Sequence, residues 1–262
     1  MSDFLLATWN VNSLRARLEH VERFLLEWRP DVLMLQETKV VDADFPAALF
    51  EGLGYHLSIW GQKTYNGVAL ASLHPLEAVR RGLADVPEEA QEARVLAATV
   101  RGLRVVNVYI PNGGDPTTAR FPDKLAFFGR LRRRLEQDQH LHSPALVLAG
   151  DFNVAPEPRD VYDPQSLLGT TCYHPDEHQA LEGLRSWGFT DAFRHLEPNA
   201  GLYSWWDYRQ GAWPKNHGLR IDHIWITPPL IGSLKRCWIE REERGRDKAS
   251  DHAPVMAEFH LP

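Results

Sequence analysis

Two cysteines, Cys172 and Cys237, are all that 262 residues contain. They are too few for a disulfide framework and lack the paired spacing of a structural zinc site, so both are expected as reduced thiols. Positive charge is not in excess either: 29 Lys and Arg stand against 35 Asp and Glu, a formal net charge of −6. That balance excludes a protein that coats nucleic acid by charge alone. It leaves room for an enzyme that attracts phosphates through a local basic face and a bound cation. No apolar run approaches the roughly 20 residues that cross a bilayer. Met1-Ser2-Asp3-Phe4 enters a strand-like segment without the charged head and apolar core of a signal peptide. The expectation is a soluble cytoplasmic protein with no membrane partner. No internal repeat and no Pro/Gly/Ser linker divides the chain, so residues 1–262 are expected to form a single domain.

What is present is a succession of short strands with few helices. Phe4–Thr8 reads as a strand leading into Trp9-Asn10, and Leu14–Trp28 as a helix with Leu14, Leu18, Val21 and Leu25 on one side. Pro30 stops it before a buried-type strand, Asp31–Gln36. A short helix is expected over Asp44–Leu53, then strands at Tyr55–Trp60, Val68–Ser72, Ala78–Arg81, Arg94–Val100 and Leu103–Ile110. Helices are expected at Lys124–Gln137 and His178–Trp187, with strands at Ala145–Ala149, Arg220–Ile226, Cys237–Arg241 and Pro254–Phe259. Without strict βα alternation, this pattern predicts a mixed-sheet α/β or α+β domain.

The apolar strands repeatedly end in a carboxylate, an amide or a phenol: Asn10, Glu37, Tyr109, Asp151 with Asn153, Asp222, and Asp251 with His252. A single Asp or Glu after a strand is usually a turn residue or a helix cap. Their recurrence favours a site built at one edge of a rigid sheet. The residue types suit phosphodiester hydrolysis. A hard cation such as Mg²⁺ offsets the charge that repels an attacking hydroxide, and it takes carboxylate, amide and water oxygens. Glu37, Asn10 and Asp251 are suitable ligands for it. Asp151 and Asn153 flank Phe152, so in extended backbone they share a side. There Asp151 can orient or deprotonate water while Asn153 holds that water or a phosphate oxygen. His252 can donate to a non-bridging oxygen with its tautomer fixed by a carboxylate such as Asp222. Tyr109 offers a hydroxyl to the phosphate or the leaving oxygen.

Read together, these segments resemble the exonuclease III family of apurinic/apyrimidinic endonucleases, within the endonuclease/exonuclease/phosphatase superfamily. The matching segments span nearly the whole chain, from Thr8-Trp9-Asn10-Val11-Asn12-Ser13-Leu14-Arg15-Ala16 to Ser250-Asp251-His252-Ala253-Pro254. Between them lie Leu35-Gln36-Glu37-Thr38-Lys39, Asn66-Gly67-Val68-Ala69, Tyr109-Ile110-Pro111-Asn112, Gly150-Asp151-Phe152-Asn153-Val154 and Gly218-Leu219-Arg220-Ile221-Asp222. The resemblance implies a four-layer α/β sandwich, two mixed sheets flanked by helices, with the site at one end. It implies cleavage 5′ to an abasic site in double-stranded DNA to leave a 3′-hydroxyl, with 3′→5′ exonuclease or 3′-end trimming at recessed ends. It further implies Mg²⁺ as cofactor with Mn²⁺ as substitute, and a monomer. By position, Glu37 is the principal metal ligand with Asn10 and Asp251 nearby, and Asp151, Asn153 and His252 border the same metal. Asp222 pairs with His252, completing a catalytic set of Tyr109, Asp151, Asn153, Asp222 and His252.

Substrate positions follow from the same resemblance. Trp205 is the aromatic wall of an abasic-sugar pocket that Leu219 and Ile221 complete, and an apolar pocket suits a flipped, baseless sugar. Trp206 stays unassigned. Arg15, Lys39 and Asn112 match backbone-contacting positions. Asp115 departs from relatives that carry a basic residue after the Pro-Asn turn, which is expected to weaken the grip on product DNA. The Arg130-Leu131-Arg132-Arg133-Arg134 run is expected to spread around an exposed helix face and is not assigned to DNA. Rival readings are a superfamily phosphatase or lipase acting on a non-DNA ester, a general deoxyribonuclease, and a catalytically dead binding module. The DNA-branch segments, the missing signal and disulfides, and the intact catalytic set count against each in turn. The number of metal ions and the exonuclease share stay open.

Overall fold

The structure is a computed structural model and describes residues 2–83, 87, 91–141 and 145–261. Met1 and Pro262, the ends of the expected domain, lie outside the described residues. The first half runs β1 (Ser2–Asn10), α1 (Leu18–Trp28), β2 (Val32–Gln36), α2 (Ala47–Gly52), β3 (His56–Trp60), β4 (Val68–Ser72) and β5 (Glu77–Arg81). It continues with β6 (Val95–Val100), β7 (Leu103–Tyr109), α3 (Arg120–Leu141), β8 (Leu146–Asp151), α4 (Pro164–Leu167) and α5 (Pro175–Arg185). The last part holds β9 (Thr190–Asp191), α6 (Ala192–Leu196), α7 (Ala212–Lys215), β10 (Asp222–Ile226), α8 (Pro228–Ile231), β11 (Leu234–Ile239) and β12 (Val255–Leu261).

The strands form two six-stranded mixed sheets, ordered β11-β12-β1-β2-β4-β3 and β5-β6-β7-β8-β10-β9. Strands β2 and β8 read as continuous apolar runs because both of their faces are covered, and every residue in them is buried. Between the sheets, Phe4, Leu6, Met34 and Leu70 of the first pack with Ala98, Val105, Val147 and Ile224 of the second. On the outer face of the first sheet, Val21, Phe24 and Leu25 of α1 cover Trp9, Leu33 and Leu35. On the other side, Phe127, Phe128, Leu131 and Leu135 of α3 join Leu181 and Leu184 of α5 over Val106 and Leu148. The result is the four-layer α/β sandwich. Among the described residues, no helix is long and apolar enough to cross a membrane.

Strand direction gathers the polar residues. Strand β1 runs parallel to β2, placing Asn10 opposite Gln36, and β7 runs parallel to β8, placing Tyr109 opposite Asp151. Because β10 is antiparallel to β8, it begins at that same end, with Asp222 opposite Asp151. The antiparallel β12 likewise begins there at Val255, separated from Asp251-His252 by two residues. Gly150 allows β7 and β8 to approach: its φ is +147°, and a Cβ would lie 1.8 Å from the Val108 carbonyl oxygen. No other residue fits. Beneath the site, buried Gln36 donates to Thr8 Oγ1 at 2.8 Å and across the sheets to Asn107 Oδ1 at 2.7 Å. Asn107 returns two hydrogen bonds to the Leu35 and Ala69 carbonyls.

Several expected boundaries shift. The Leu14–Trp28 segment opens with a 3₁₀ turn at Arg15–Arg17 before α1 begins. It ends at Arg29, whose left-handed φ of 45° lets its N–H cap Leu25 ahead of Pro30. Pro46 divides the Asp44–Leu53 region into a 3₁₀ turn at Asp42–Asp44 and α2. Helix α3 starts at Arg120 and runs on to Leu141, while β10 starts at Asp222, after the expected Arg220. The Cys237–Arg241 strand is displaced to Leu234–Ile239, and Arg241–Gly245 forms a 3₁₀ turn. The arginine run is not wholly exposed. Arg134 is buried, and Arg132 donates to the Gly183 carbonyl of α5 at 2.9 Å.

Candidate active site

Asn10 joins the two sheets at their shared end. Its Nδ2 donates to Glu37 Oε1 at 2.8 Å and to Asp151 Oδ2 at 2.9 Å. The Asn12 backbone N–H donates to Asn10 Oδ1 at 3.0 Å, which orients the amide with its nitrogen towards the carboxylates. Glu37 and Asn153 each turn back directly beyond their strands, with φ of 51° and 52°. Backbone in this sparsely populated region clusters at functional sites, where the surrounding structure holds it.

Glu37, Asp151 and His252 each offer one ligand atom, all within 4.8 Å of one another. Burial alone would raise the Glu37 carboxyl, but hydrogen bonds from Asn10 and Lys39 outweigh it and hold it below the usual range. Burial, reinforced by the charge of Asp222, pushes Asp151 up to about 7. His252 Nδ1 donates to Asp222 Oδ2 at 2.9 Å, and Ser204 Oγ donates to that same oxygen at 2.7 Å. Burial opposes a charged imidazole, yet the Asp222 and Asp151 carboxylates prevail and push His252 up to about 10. Its Nε2 faces Asp151 Oδ2 at 3.9 Å. Burial, with the charges of Glu37 and Asp151, raises Tyr109 well above 10, so its hydroxyl stays a neutral donor.

Asp251 adjoins this group with both oxygens occupied. Asn12 Nδ2 donates to Oδ1 at 2.9 Å and Trp205 Nε1 to Oδ2 at 3.0 Å. Burial would raise its carboxyl, but the His252 charge and these hydrogen bonds hold it below its ordinary value. The set suits a hard divalent cation: oxygen donors dominate, their charge is concentrated, and no thiolate is among them.

A cavity of about 420 Å³ opens onto these groups. Trp205, Leu219 and Ile221 form its apolar side, and Tyr109, Asn112 and Asn153 contribute to its polar side. Asn112 Nδ2 donates to Asn153 Oδ1 at 3.0 Å. Lys39 points inward, with Nζ 2.7 Å from Glu37 Oε2 and donating to Asn12 Oδ1 at 2.5 Å. Arg15 is not brought into the cleft; it is exposed and pairs with Asp44 at 3.1 Å. Trp206 is wholly buried, its Nε1 donating to Asn216 Oδ1 at 3.1 Å, and is a core residue. Asp115 is exposed and folds onto its own turn, accepting from Thr117 N at 2.8 Å and Thr117 Oγ1 at 2.6 Å.

Three features of the site lie outside the expectations from sequence. Thr171 and Cys172 also line the cavity. Burial pushes the Cys172 thiol up to about 12, so it is an inert wall rather than a nucleophile. Lys124 and Glu177 pair in full burial behind Asn112 and Asn153. Behind the Leu219–Ile221 wall, Arg220 donates to Asp160 Oδ1 at 2.6 Å, to Asp191 Oδ2 at 2.8 Å and to His223 Nδ1 at 2.8 Å. The arginine inside Gly218-Leu219-Arg220-Ile221-Asp222 was the one available signal: a cation between two wall residues needs buried partners.

The endonuclease/exonuclease/phosphatase family model matches residues 7–252. Exodeoxyribonuclease III of Haemophilus influenzae is 36% identical over 96% of this chain and 98% of its own. A 3′ phosphatase from Neisseria, solved with product DNA hairpin, superposes with a TM-score of 0.95 at 40% identity, covering 98% of this chain and 100% of that one. An AP endonuclease from Archaeoglobus fulgidus superposes with a TM-score of 0.92 at 39% identity, with 98% and 100% covered.

Proposed function

Because this chain belongs to the endonuclease/exonuclease/phosphatase family and to its exodeoxyribonuclease III branch, we propose that it hydrolyses the phosphodiester 5′ to abasic sites in double-stranded DNA and trims 3′-ends. One observation carries this reading. A single cavity joins the Glu37–Asp151–His252 cluster to the apolar Trp205–Leu219–Ile221 wall. A general phosphatase needs only the first; a flipped, baseless sugar also needs the second.

Glu37 and Asp151 would hold a divalent cation, Mg²⁺ by preference with Mn²⁺ as substitute, with His252 beside it on the phosphate side. When bound, the cation supplies positive charge beside the phosphoryl oxygens, where charge builds in the transition state. Asn10 orients Glu37 and Asp151 through its amide nitrogen. Asp251 lies alongside and holds the Trp205 indole against the pocket. Asp151, its affinity for a proton raised by burial, takes the proton of the attacking water while Asn153 aligns that water. A bond forms from water oxygen to phosphorus as the bond to the 3′-oxygen breaks. The charged His252 donates from Nε2 to a non-bridging oxygen, with Asp222 stabilising the imidazolium. Tyr109 donates to the phosphate or the leaving oxygen. Lys39 and Asn112 contact the DNA backbone, and Arg15 reaches it from the rim. The reading is of a cytoplasmic monomer.

The test is incubation with duplexes carrying an abasic-site analogue or a recessed 3′-end, in Mg²⁺, Mn²⁺ or EDTA. Cleavage should need metal, and Glu37→Gln should weaken metal affinity by at least the roughly 10- to 100-fold typical of lost metal-site hydrogen bonds. Intact duplexes under every condition would overturn the proposal.

A further inference from the structure

Lys124 lies in the second turn of α3 with no exposed surface, although lysine is almost never buried without a partner. Its Nζ donates to Glu177 Oε1 at 2.5 Å, to the Asn153 carbonyl at 2.7 Å and to the Asn112 carbonyl at 3.1 Å. These three acceptors match the three hydrogens of an ammonium. Glu177, equally buried, accepts the N–H of Cys172 at 3.2 Å and that of His174 at 3.0 Å. One ion pair thus ties together the segments that follow β7 and β8 and the segment that enters α5. Those segments carry Asn112, Asn153 and Cys172, which line one wall of the cleft.

Stability alone does not account for the pair, since an apolar pair of similar volume often holds two helices as well or better. An apolar pair could not fix two carbonyls from separate loops. Asn153 depends on such fixing. Its left-handed backbone and its Nδ2 bond to the Ile110 carbonyl at 2.9 Å set where its amide oxygen aims. We propose that Lys124 is a positioning residue for cleavage: through the Asn153 and Asn112 carbonyls it sets the aim of the Asn153 amide. This rests on the nuclease reading above.

The double variant Lys124→Met, Glu177→Gln removes both charges and leaves one amide oxygen for one of the two N–H groups, Cys172 and His174, that Glu177 Oε1 and Oε2 accept. On the abasic duplex its kcat should fall roughly 10- to 100-fold, the loss that a misplacement of about 1 Å brings. KM should stay near wild type, while Tm falls because the Asn112 and Asn153 carbonyls lose their buried donor. In an Asn153→Ala background the same double change should lower kcat no further, because Lys124 then has nothing left to aim. Independent, multiplying losses in the two backgrounds would overturn the inference. Lys124→Arg guards against a double variant that fails to fold. It keeps a cation for Glu177, but its planar fork cannot present the three donors of an ammonium. Its kcat should fall with KM near wild type in protein that still unfolds cooperatively, and a wild-type kcat would overturn the inference. Wild-type protein that cuts no duplex removes both readings. Wild-type protein that cuts, beside a double variant of equal kcat, removes this one alone.

Discussion

His252 Nδ1 lies 2.9 Å from Asp222 Oδ2, and both side chains are buried. An ionised carboxylate only accepts, so this contact places a proton on Nδ1 and turns Nε2 towards the cleft. The same carboxylate stabilises the second proton. Asp222 therefore controls both the orientation and the charge of the group expected to meet the phosphate.

Asp222→Asn should remove that charge control. The imidazolium, held by the native protein up to about 10, would then be neutral at pH 8. Single-turnover cleavage should fall roughly 10²- to 10⁴-fold, the range for a misassigned acid–base group. Nitrogen NMR of the imidazole checks the cause. A variant still charged at pH 8 with wild-type turnover would take Asp222 out of this role.

Trp205 has two separable contacts, its ring in the apolar wall and its indole N–H on Asp251 at 3.0 Å. Trp205→Ala loses both. Its kcat/KM on the abasic duplex should drop by roughly 10- to 200-fold, as lost apolar pocket contacts do, with a smaller drop on a 3′-phosphate end. Trp205→Phe keeps the wall and should recover most abasic-site cutting. Equal losses on the two substrates would place Trp205 outside the sugar pocket.

Asp115 carries a negative charge on the exposed turn after Asn112, and hydrogen bonds from Thr117 hold its carboxyl below the ordinary range. Asp115→Arg should bind nicked product more tightly and slow multiple turnover without slowing the first. The slope of log affinity against log salt should steepen by about one per added phosphate contact. An unchanged salt slope would show that this turn lies off the DNA path.

His223 is a buried neutral imidazole. Burial, then the Arg220 guanidinium, lowers it to about 4, while an unfolded histidine titrates near 6.5. Between those values the unfolded chain binds a proton that the folded chain refuses. Stability should therefore fall as pH drops from about 6.5 to about 4 and level off below that. Urea unfolding across this window measures it. His223→Gln should flatten the slope, and a slope unchanged in that variant would assign the effect to another group.

The strand ends were legible because a fully covered strand writes its burial as an unbroken apolar run, so the first polar residue after it stands out. Asn10 and Asp151 could be read that way; Asp222 instead opens β10, and the antiparallel register brings it to the same end. Helix ends were less legible. Helix α3 begins a full turn before Lys124 because Pro122 sits in its first turn, where a missing N–H is harmless. Lys124 was hidden for a different reason. Charge in a helix reads as solvent-facing, and only the spatial arrival of Glu177 and two carbonyls makes its burial tolerable. Long side chains escape sequence reading likewise: Lys39 turns in to Glu37 while Arg15 turns out to Asp44.

The Asn10 amide hydrogen-bonds to one carboxylate from each sheet, so the proposed reaction centre straddles the seam between two separately built slabs. The separation of those carboxylates is therefore a reading of sandwich thickness. Side chains such as Leu6, Met34 and Val147, which never approach DNA, act as shims that gauge the catalytic gap. A methylene gained or lost among them would retune the chemistry from within, as a spacer resets the jaws of a tool.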